Sequence, residues 1–442
     1  SITRVVNPTV PGPQFNYVFV ADLFIIGAGI DDSIIRKAID IGVAKGKGSL
    51  GKSDLYRKAM ESVKVSGENR GLLFVDVSKI VDLIKAFPIP GLDQANVTDG
   101  IEKTLGVIET IAGALSFNYS KKAVDRIDFN MFFAKNKNVK DADILDAWSV
   151  KPADIKNLSF VPSGAVLFSM SNTVDIAKLW ELWKNSLRQQ APERADEILS
   201  TVDQFESDTG VSIQDDILSW IGDEFGFLLS DVDMGGLFPF PKIALIIKVT
   251  DGAKATASLG KITNVIVEKS VPEGVTEETE GEAAASPIKA SSESYGGQTL
   301  QSLEIRLPYQ SLTPAYAVMD DYLIIGTSKE TVKNLIDTKD GKAKSVKSDA
   351  AFKTATKGFP VKVNQLGFLN ATRALDLIIE ITTWANSLQQ QAAGTPSTET
   401  AAAITETVIP VLNALKTVES IGVVAVNEKD GIEQSVHIEI KK

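Results

Sequence analysis

Cysteine is absent from the 442 residues, and histidine occurs once. The first absence excludes thiolate catalysis, Cys-ligated zinc, iron–sulfur clusters and structural disulfides. The second excludes a multi-histidine metal site within one chain. Basic residues are in deficit, 46 against 57 acidic ones, for a net charge of −11. That balance argues against non-specific nucleic-acid binding, where Lys and Arg must displace counterions from phosphate. It argues equally against electrostatic docking on anionic lipid. No apolar run approaches the ~18–20 residues that would span a bilayer. The chain opens Ser1-Ile2-Thr3-Arg4, without an initiator Met or a signal-peptide core. What is present is ordinary for a globular protein: 44% hydrophobic and 23% charged residues. The length suggests roughly two to four domains.

An internal repeat organises the chain. Tyr17 to Gly27 reads YVFVADLFIIG and Tyr316 to Gly326 reads YAVMDDYLIIG, identical at five of eleven positions. The match continues in order through Ile39-Asp40 and Ile336-Asp337, then Lys52-Ser53-Asp54 and Lys347-Ser348-Asp349. A strand leading into a helix follows in each: Phe74-Val75-Asp76 to Ile84, and Phe368-Leu369-Asn370 to Ile378. Each copy closes with a strand pair, ending at Phe129–Phe133 and Val436–Ile440. A long region from Val161 to Leu312 precedes the repeat in the second copy, and only sixteen residues precede Tyr17. Residues 1–140 therefore read as the latter half of a first module, 141–158 as a linker and 159–442 as a complete second module. The asymmetry predicts a precursor that extends upstream by the missing half. Within the second module, 268–298 is acidic and small-residue-rich and reads as a flexible loop. Gln389–Ala403 reads as a helix end followed by a polar tether.

Short β-branched runs predict strands at Val18–Ile26, Leu72–Val77, Ala165–Met170, Gly226–Leu229, Ile243–Val249, Leu300–Leu307, Leu323–Gly326, Gly422–Val426 and Gln434–Lys441. Helices are predicted at Asp175–Leu187, Asp251–Ile262, Lys329–Ile336, Arg373–Trp384 and Thr405–Thr417. Few βαβ periods occur, so the expected class is α+β: a duplicated module of mostly antiparallel sheets with helices packed on one face.

Gly46-Lys47-Gly48-Ser49-Leu50-Gly51-Lys52-Ser53 satisfies G-x-x-x-x-G-K-[ST], whose amides and lysine could cradle phosphates. Asp76 after an apolar run even resembles a magnesium-holding residue. Against this, residues 31–43 read as a helix where a P-loop needs a strand, and the second copy lacks the glycines and carries Asn370 for Asp76. A Gly/Lys-rich surface loop is the expectation. Gly27-Ala28-Gly29 lacks the third glycine of a dinucleotide fingerprint and reads, like Gly326-Thr327-Ser328, as a strand-to-helix turn capped by Asp31 or Ser328. Strand alternation places Val436, Ile438 and Ile440 on the core face, so His437 and Glu439 are expected at the surface. Asp215, Asp216, Asp223, Glu224, Asp231 and Asp233 crowd one region. They form no calcium loop and read as solvated caps. Trp180 and Trp183 have helical spacing and, with Trp220, read as core. No residue is assigned a catalytic, cofactor-binding or metal-ligating role.

Trp220-Ile221-Gly222-Asp223-Glu224 ends an amphipathic segment and precedes a strand. With Asp251-Gly252-Ala253-Lys254-Ala255, the Tyr322–Ser328 strand (YLIIGTS) and Ser348-Asp349-x-x-Phe352, it resembles an uncharacterised family of exported bacterial proteins. The resemblance covers Phe160 to the C-terminus, and 17–133 matches only the latter half of the pattern. It implies an exported envelope protein in two-lobed α+β form and no catalytic residues. The expectation is a non-enzymatic structural or binding protein, extracytoplasmic, periplasmic or extracellular, with protein partners or self-assembly. Alternatives are an apolar-ligand (lipid) binder and, more remotely, a P-loop-like nucleotide binder. No cofactor and no nucleic-acid partner are expected.

Overall fold

The computed structural model describes residues 3–5, 14–20, 23–29, 33–43, 49–63, 69–86, 105–120, 123–139, 150–172, 176–190, 192–236, 238–270, 288–307, 310–393 and 404–441. It divides into two compact units, Ser1–Val63 and Lys64–Lys442. The division falls ahead of the linker expected at 141–158. Of that linker, 141–149 lies outside the described residues, and so do Gly46–Gly48, Asp31, 271–287 and 394–403.

In the first unit, β1 (Thr3–Val5), β2 (Gln14–Val20) and β3 (Leu23–Gly29) form an antiparallel sheet in that order. Helix α1 (Ser33–Val43), a 3-10 turn at Leu50–Lys52 and α2 (Asp54–Glu61) follow. Ser53 caps α2 by accepting from the Tyr56 amide.

The second unit contributes β4 (Asn69–Asp76), α3 (Val77–Ala86), β5 (Ile108–Ser120), β6 (Ala123–Lys135) and β7 (Leu167–Ser171). The helical hairpin α4 (Ile176–Gln190) and α5 (Pro192–Thr209) leads to β8 (Ile221–Asp233), β9 (Phe240–Val249) and α6 (Gly252–Lys269). Then come β10 (Ile288–Tyr295), β11 (Gln298–Arg306), the short β12 (Ser311–Leu312), β13 (Ala315–Met319), β14 (Tyr322–Gly326), α7 (Lys329–Lys339) and α8 (Ala350–Ala355). The chain ends through β15 (Gln365–Leu369), α9 (Ala371–Ala393), α10 (Ile409–Leu415), β16 (Val418–Glu428) and β17 (Gly431–Ile440). The strands join in one 14-stranded sheet, ordered β10-β11-β13-β14-β9-β8-β7-β15-β16-β17-β6-β5-β4, with β12 beside β11. Every pair is antiparallel, and the fold is α+β.

The duplication is visible in element order and in register. Tyr17 faces Ile26 in the β2–β3 hairpin, and Tyr316 faces Ile325 in β13–β14. Each hairpin leads into two helices separated by a 3-10 turn, Leu50–Lys52 in one copy and Val346–Ser348 in the other. β4-β5-β6 repeats β15-β16-β17, and the copies meet where β17 pairs with β6. The single expected strand Val18–Ile26 falls instead on two antiparallel strands, β2 and β3. Of the expected loop 268–298, Ile288–Tyr295 is a strand. It is an outer strand with one neighbour, so its polar sequence needs no apolar face.

In-register pairing sets side chains in rows across the sheet. One row runs Ile324, Ile246, Gly226, Met170, Leu366, Val424, Ser435, Asn130, Ala114 and Leu72. Its apolar end, with Phe160, Phe168, Phe368 and the α7 residues Val332, Leu335 and Ile336, is the main core. Trp220, Ile247, Val249 and Leu323 pack with Ala255 of α6 in a second cluster. Ile155 and Leu158, inside the expected linker, are buried in the main core, and Ala153 bridges Val363.

Candidate functional site

Two polar constellations lie within the second unit. The first joins the W-I-G-D-E box to the Y-L-I-I-G-T-S strand. Trp220 is buried, and its indole N–H donates to the Asp216 carbonyl at 2.7 Å. Its own carbonyl accepts from Thr250, which fixes the start of β8. Glu224 is buried on β8, and Tyr322 on β14 donates its hydroxyl proton to Glu224 Oε2 at 2.7 Å. Lys248, on the intervening β9, stands 2.9 Å from Asp223 and 3.7 Å from Glu224. Burial, then the Glu224 carboxylate, pushes the Tyr322 phenol above its usual range, so it stays a hydrogen-bond donor. Phe160 packs edge-on against the Tyr322 ring.

The neighbouring motif residues are engaged in the same way. Thr327 donates to the Pro241 carbonyl at 2.8 Å and accepts from the Ile243 amide at 3.0 Å. Ser328 caps α7, Asp251 caps α6 and Asp349 caps α8. Asp349 Oδ2 also accepts from Ser163 Oγ and from the Gly164 amide, each at 3.1 Å. The acidic residues at 215–233 are not one cluster. Asp216 pairs with Lys261, Asp223 with Lys248, Asp231 with Arg373, and Asp233 accepts from the Gly235 amide. Among the described residues no group of three or more His, Asp or Glu could hold a metal ion.

The second constellation sits where β17 pairs with β6. Register aligns Gly422, His437, Asp128 and Ser116 in one row and Ser420, Glu439, Arg126 and Asn118 in the next. Arg126 Nε lies 2.7 Å from Asp128 Oδ1, and Asn118 donates to Asp128 Oδ2 at 2.8 Å. His437 is buried, which corrects the expectation of a surface histidine. Alternation shows which residues share a face; it does not show which face is covered. Here α8 covers the polar face. His437 Nδ1 lies 3.1 Å from the Ala355 carbonyl, and the Phe359 ring is 4.2 Å from the imidazole. The helix end approaches so closely that a Cβ at Gly422 would sit 2.5 Å from the Ala355 oxygen, so only glycine fits there. Burial, then the Arg126 charge, holds the His437 imidazolium below its usual range, and the ring is neutral at pH 7. Nδ1–H then donates to the Ala355 carbonyl, which fixes the tautomer.

Beside these rows opens a cleft of about 620 Å³, lined by Asn118, Asp125, Arg126, Lys357, Glu419 and Glu439 among others. Glu439 is also buried, against expectation, and its Oε1 has no hydrogen-bond partner. Burial raises its carboxyl above the usual range. A second cleft of about 250 Å³ lies at the end of β14, between Phe238, Phe240, Lys242, Gln310, Thr327 and Glu330.

The remaining candidates separate. Leu50–Lys52 is an exposed turn whose preceding described element is helix α1 and not a strand, and Ser53 serves as a cap. Gly27–Gly29 lies inside β3 and is no strand-to-helix turn. Trp220 is core, whereas Trp183 is 41% exposed and stacks on Trp180 at 4.9 Å. The helical spacing of the two tryptophans is real, but α4 is a surface helix. Among the described residues no helix is long and apolar enough to cross a membrane.

A family model described as a protein of unknown function, DUF3352, matches residues 31–409. The chain belongs to the DUF3352 family. No curated protein and no solved structure matches it. In this DUF3352 chain the sequence reading missed the buried His437 and Asp128 and the Arg126 beside them in the next row. The alternation of β17 with polar residues at 435, 437 and 439 was their only signal.

Proposed function

We propose that this DUF3352 chain is a non-enzymatic, extracytoplasmic structural or binding protein of the cell envelope or of an extracellular assembly. One observation carries the reading: its motif residues are spent on architecture. Glu224 and Tyr322 tie β8 to β14 across β9, and Ser328, Asp251 and Asp349 cap helices. Groups held so firmly stabilise a frame and leave no poised nucleophile–base pair among them. The charged lining of the cleft beside Glu439 favours a polar ligand or protein surface there over the lipid alternative.

Fractionation of the source cells, followed by size exclusion with light scattering of the native material, tests this. The expected result is an envelope or extracellular fraction holding the chain in an assembly larger than its own 47.5 kDa. Recovery solely as a cytosolic monomer overturns it.

A further inference from the structure

The cleft of about 620 Å³ beside Glu439 is shaped by irregularities in the strands around it. In a regular strand consecutive side chains point to opposite faces. Here Asn118 and Tyr119, Asp125 and Arg126, and Glu439 and Ile440 all line one cavity. Two bulges account for this. β5 and β6 lose register between the pairs Asn118–Arg126 and Tyr119–Val124, which leaves Asp125 as the extra residue. β16 and β17 lose it between Val418–Ile440 and Ser420–Glu439, which leaves Glu419. A bulge bends its strand and re-aims a side chain, and bulges are over-represented beside functional sites. Both extra residues are acidic, and both line the cleft. The glutamate bulge recurs in the first copy at Glu109, but Ala134 stands there at the register of Glu439. The β16–β17 hairpin closes at the pair Glu428–Gly431, the register counterpart of Asn118–Arg126. β5–β6 runs on by two further pairs, and this added length carries Tyr119 and Asp125 to the cleft.

The charges of the lining are unequal. Asp125, Glu419 and Glu439 stand against Arg126 and Lys357. The Arg126 guanidinium is committed: Nε lies 2.7 Å from Asp128 Oδ1, Nη2 donates to Asp128 Oδ2 at 3.1 Å and Nη1 to the Lys357 carbonyl at 3.4 Å. Glu439 is 7% exposed, and its Oε1 has no hydrogen-bond partner among the described residues. A carboxylate buried in this way is costly until an opposite charge comes to it. Tyr119, 48% exposed, and Ile440 add aromatic and apolar surface, which suits an alkyl chain and a cation over a ring. The volume is that of a site for a small organic molecule. We infer that this cleft binds an organic cation, an alkylammonium group whose charge is met by Glu439, Glu419 and Asp125 and whose chain lies along Tyr119 and Ile440. The group belongs to a free amine or to a lysine side chain of a partner protein, and the recognising chemistry is the same. The inference rests on the binding reading proposed above and names its ligand class. The envelope location is read by fractionation, so either can fail alone.

Calorimetric titration of the 442-residue chain at low salt tests it, with 1,5-diaminopentane as the free amine and Nα-acetyl-lysine methylamide as the side chain. Saturable binding of at least one is expected, with a dissociation constant below about 1 mM, and the tighter of the two assigns the source. Glu439→Gln keeps the shape and removes the charge, and should weaken binding about tenfold. Glu419→Gln and Asp125→Asn should each weaken it about twofold to fivefold. These two positions are less buried than Glu439, which keeps the test independent of the core. Binding should also weaken as the pH falls through the range, above that of an ordinary glutamate, where Glu439 takes up its proton. That step should be missing from Glu439→Gln. Pentanedioate, of the same length and opposite charge, should not bind. The inference is overturned by the absence of saturable binding of either amine, by affinity unchanged in all three variants, or by pentanedioate bound as tightly.

Discussion

The hairpin β13–β14 lies between β11 and β9 in the large sheet, whereas its counterpart β2–β3 belongs to a separate three-stranded sheet with β1. The two hairpins have the same loop length and register, Val20 facing Leu23 and Met319 facing Tyr322. Local sequence therefore fixes the hairpin and leaves its neighbours open. In the second copy those neighbours come from Val161 to Leu312, which supplies β7, β8, β9 and β11. The first copy has no such stretch within these residues. Among the described residues its β4 ends the sheet, where β15 is flanked on both sides. A repeat copies the local code, but a core closes only where the long-range partners are present.

The largest expected effect tests this contrast directly. Leu366→Ala removes a side chain from a closed core and should cost about 3 kcal/mol. Leu72→Ala, at the equivalent exposed position, should cost under about 0.5 kcal/mol. Urea unfolding of both variants reads the difference. Equal losses would show that the two copies bury this position alike and would break the comparison.

Smaller is the effect expected at Tyr322, whose counterpart in the first copy is Leu23. Tyr322→Phe deletes the proton that buried Glu224 accepts. It should cost about 2 kcal/mol, since the carboxylate keeps only the 3.7 Å approach of Lys248. Glu224→Gln keeps an acceptor for the phenol and should cost less. A Tyr322→Phe variant as stable as the parent would remove the link between the two motifs as a source of rigidity.

These contrasts show what the sequence made legible. The repeat, the antiparallel α+β class and the strand positions followed from β-branched runs and turn residues, because those signals are local. The break between β2 and β3 did not, since Val18 to Ile26 is an apolar run interrupted only by Ala21-Asp22. Helix α5 was not read, because its sequence is strongly charged and leaves Ile198 and Phe205 exposed. The box at Trp220–Glu224 was visible as a motif. Its partner Tyr322 lies 98 residues from Glu224 and is brought near only by the β8-β9-β14 order. The buried His437 row was hidden for a related reason: the helix that covers it, α8, is distant in sequence and contributes a backbone carbonyl, which no side-chain pattern announces.

Next in size is Glu439, where a carboxyl is buried with one oxygen unpartnered. Its folded form holds the proton more tightly than the unfolded chain does. Stability from this group is thus complete below the ordinary glutamate range and lost as pH rises through the folded value. Glu439→Gln should gain stability at pH 7, by under about 1 kcal/mol. The gain should vanish below about pH 4. The residue at the same register in the first copy is Ala134, so the variant moves the second copy toward the uncharged state of the first. A loss at pH 7 would mean that the carboxylate has a partner in solution, for which the cleft ligand is the first candidate.

The smallest effect belongs to His437, whose counterpart by strand register is Phe132, also buried. The folded imidazole is harder to protonate than an unfolded one, through burial and then the Arg126 charge; the Asp128 carboxylate 3.7 Å from Nε2 opposes this. Between the unfolded value near pH 6.5 and the lower folded value, the unfolded chain binds a proton that the folded chain refuses. Stability from this group is present above about pH 6.5 and falls as the pH drops below it. His437→Asn, which removes the titrating ring and keeps a polar side chain, should flatten that slope without changing the sign of any other transition. Because the chain has a single histidine, its imidazole proton resonance needs no assignment, and NMR titration gives the folded midpoint directly. A midpoint below pH 6.5 means that burial and Arg126 outweigh Asp128. A midpoint above it means that Asp128 and His437 form an ion pair across the β17–β6 pairing, and the seam between the copies would then be tightened by acid rather than loosened.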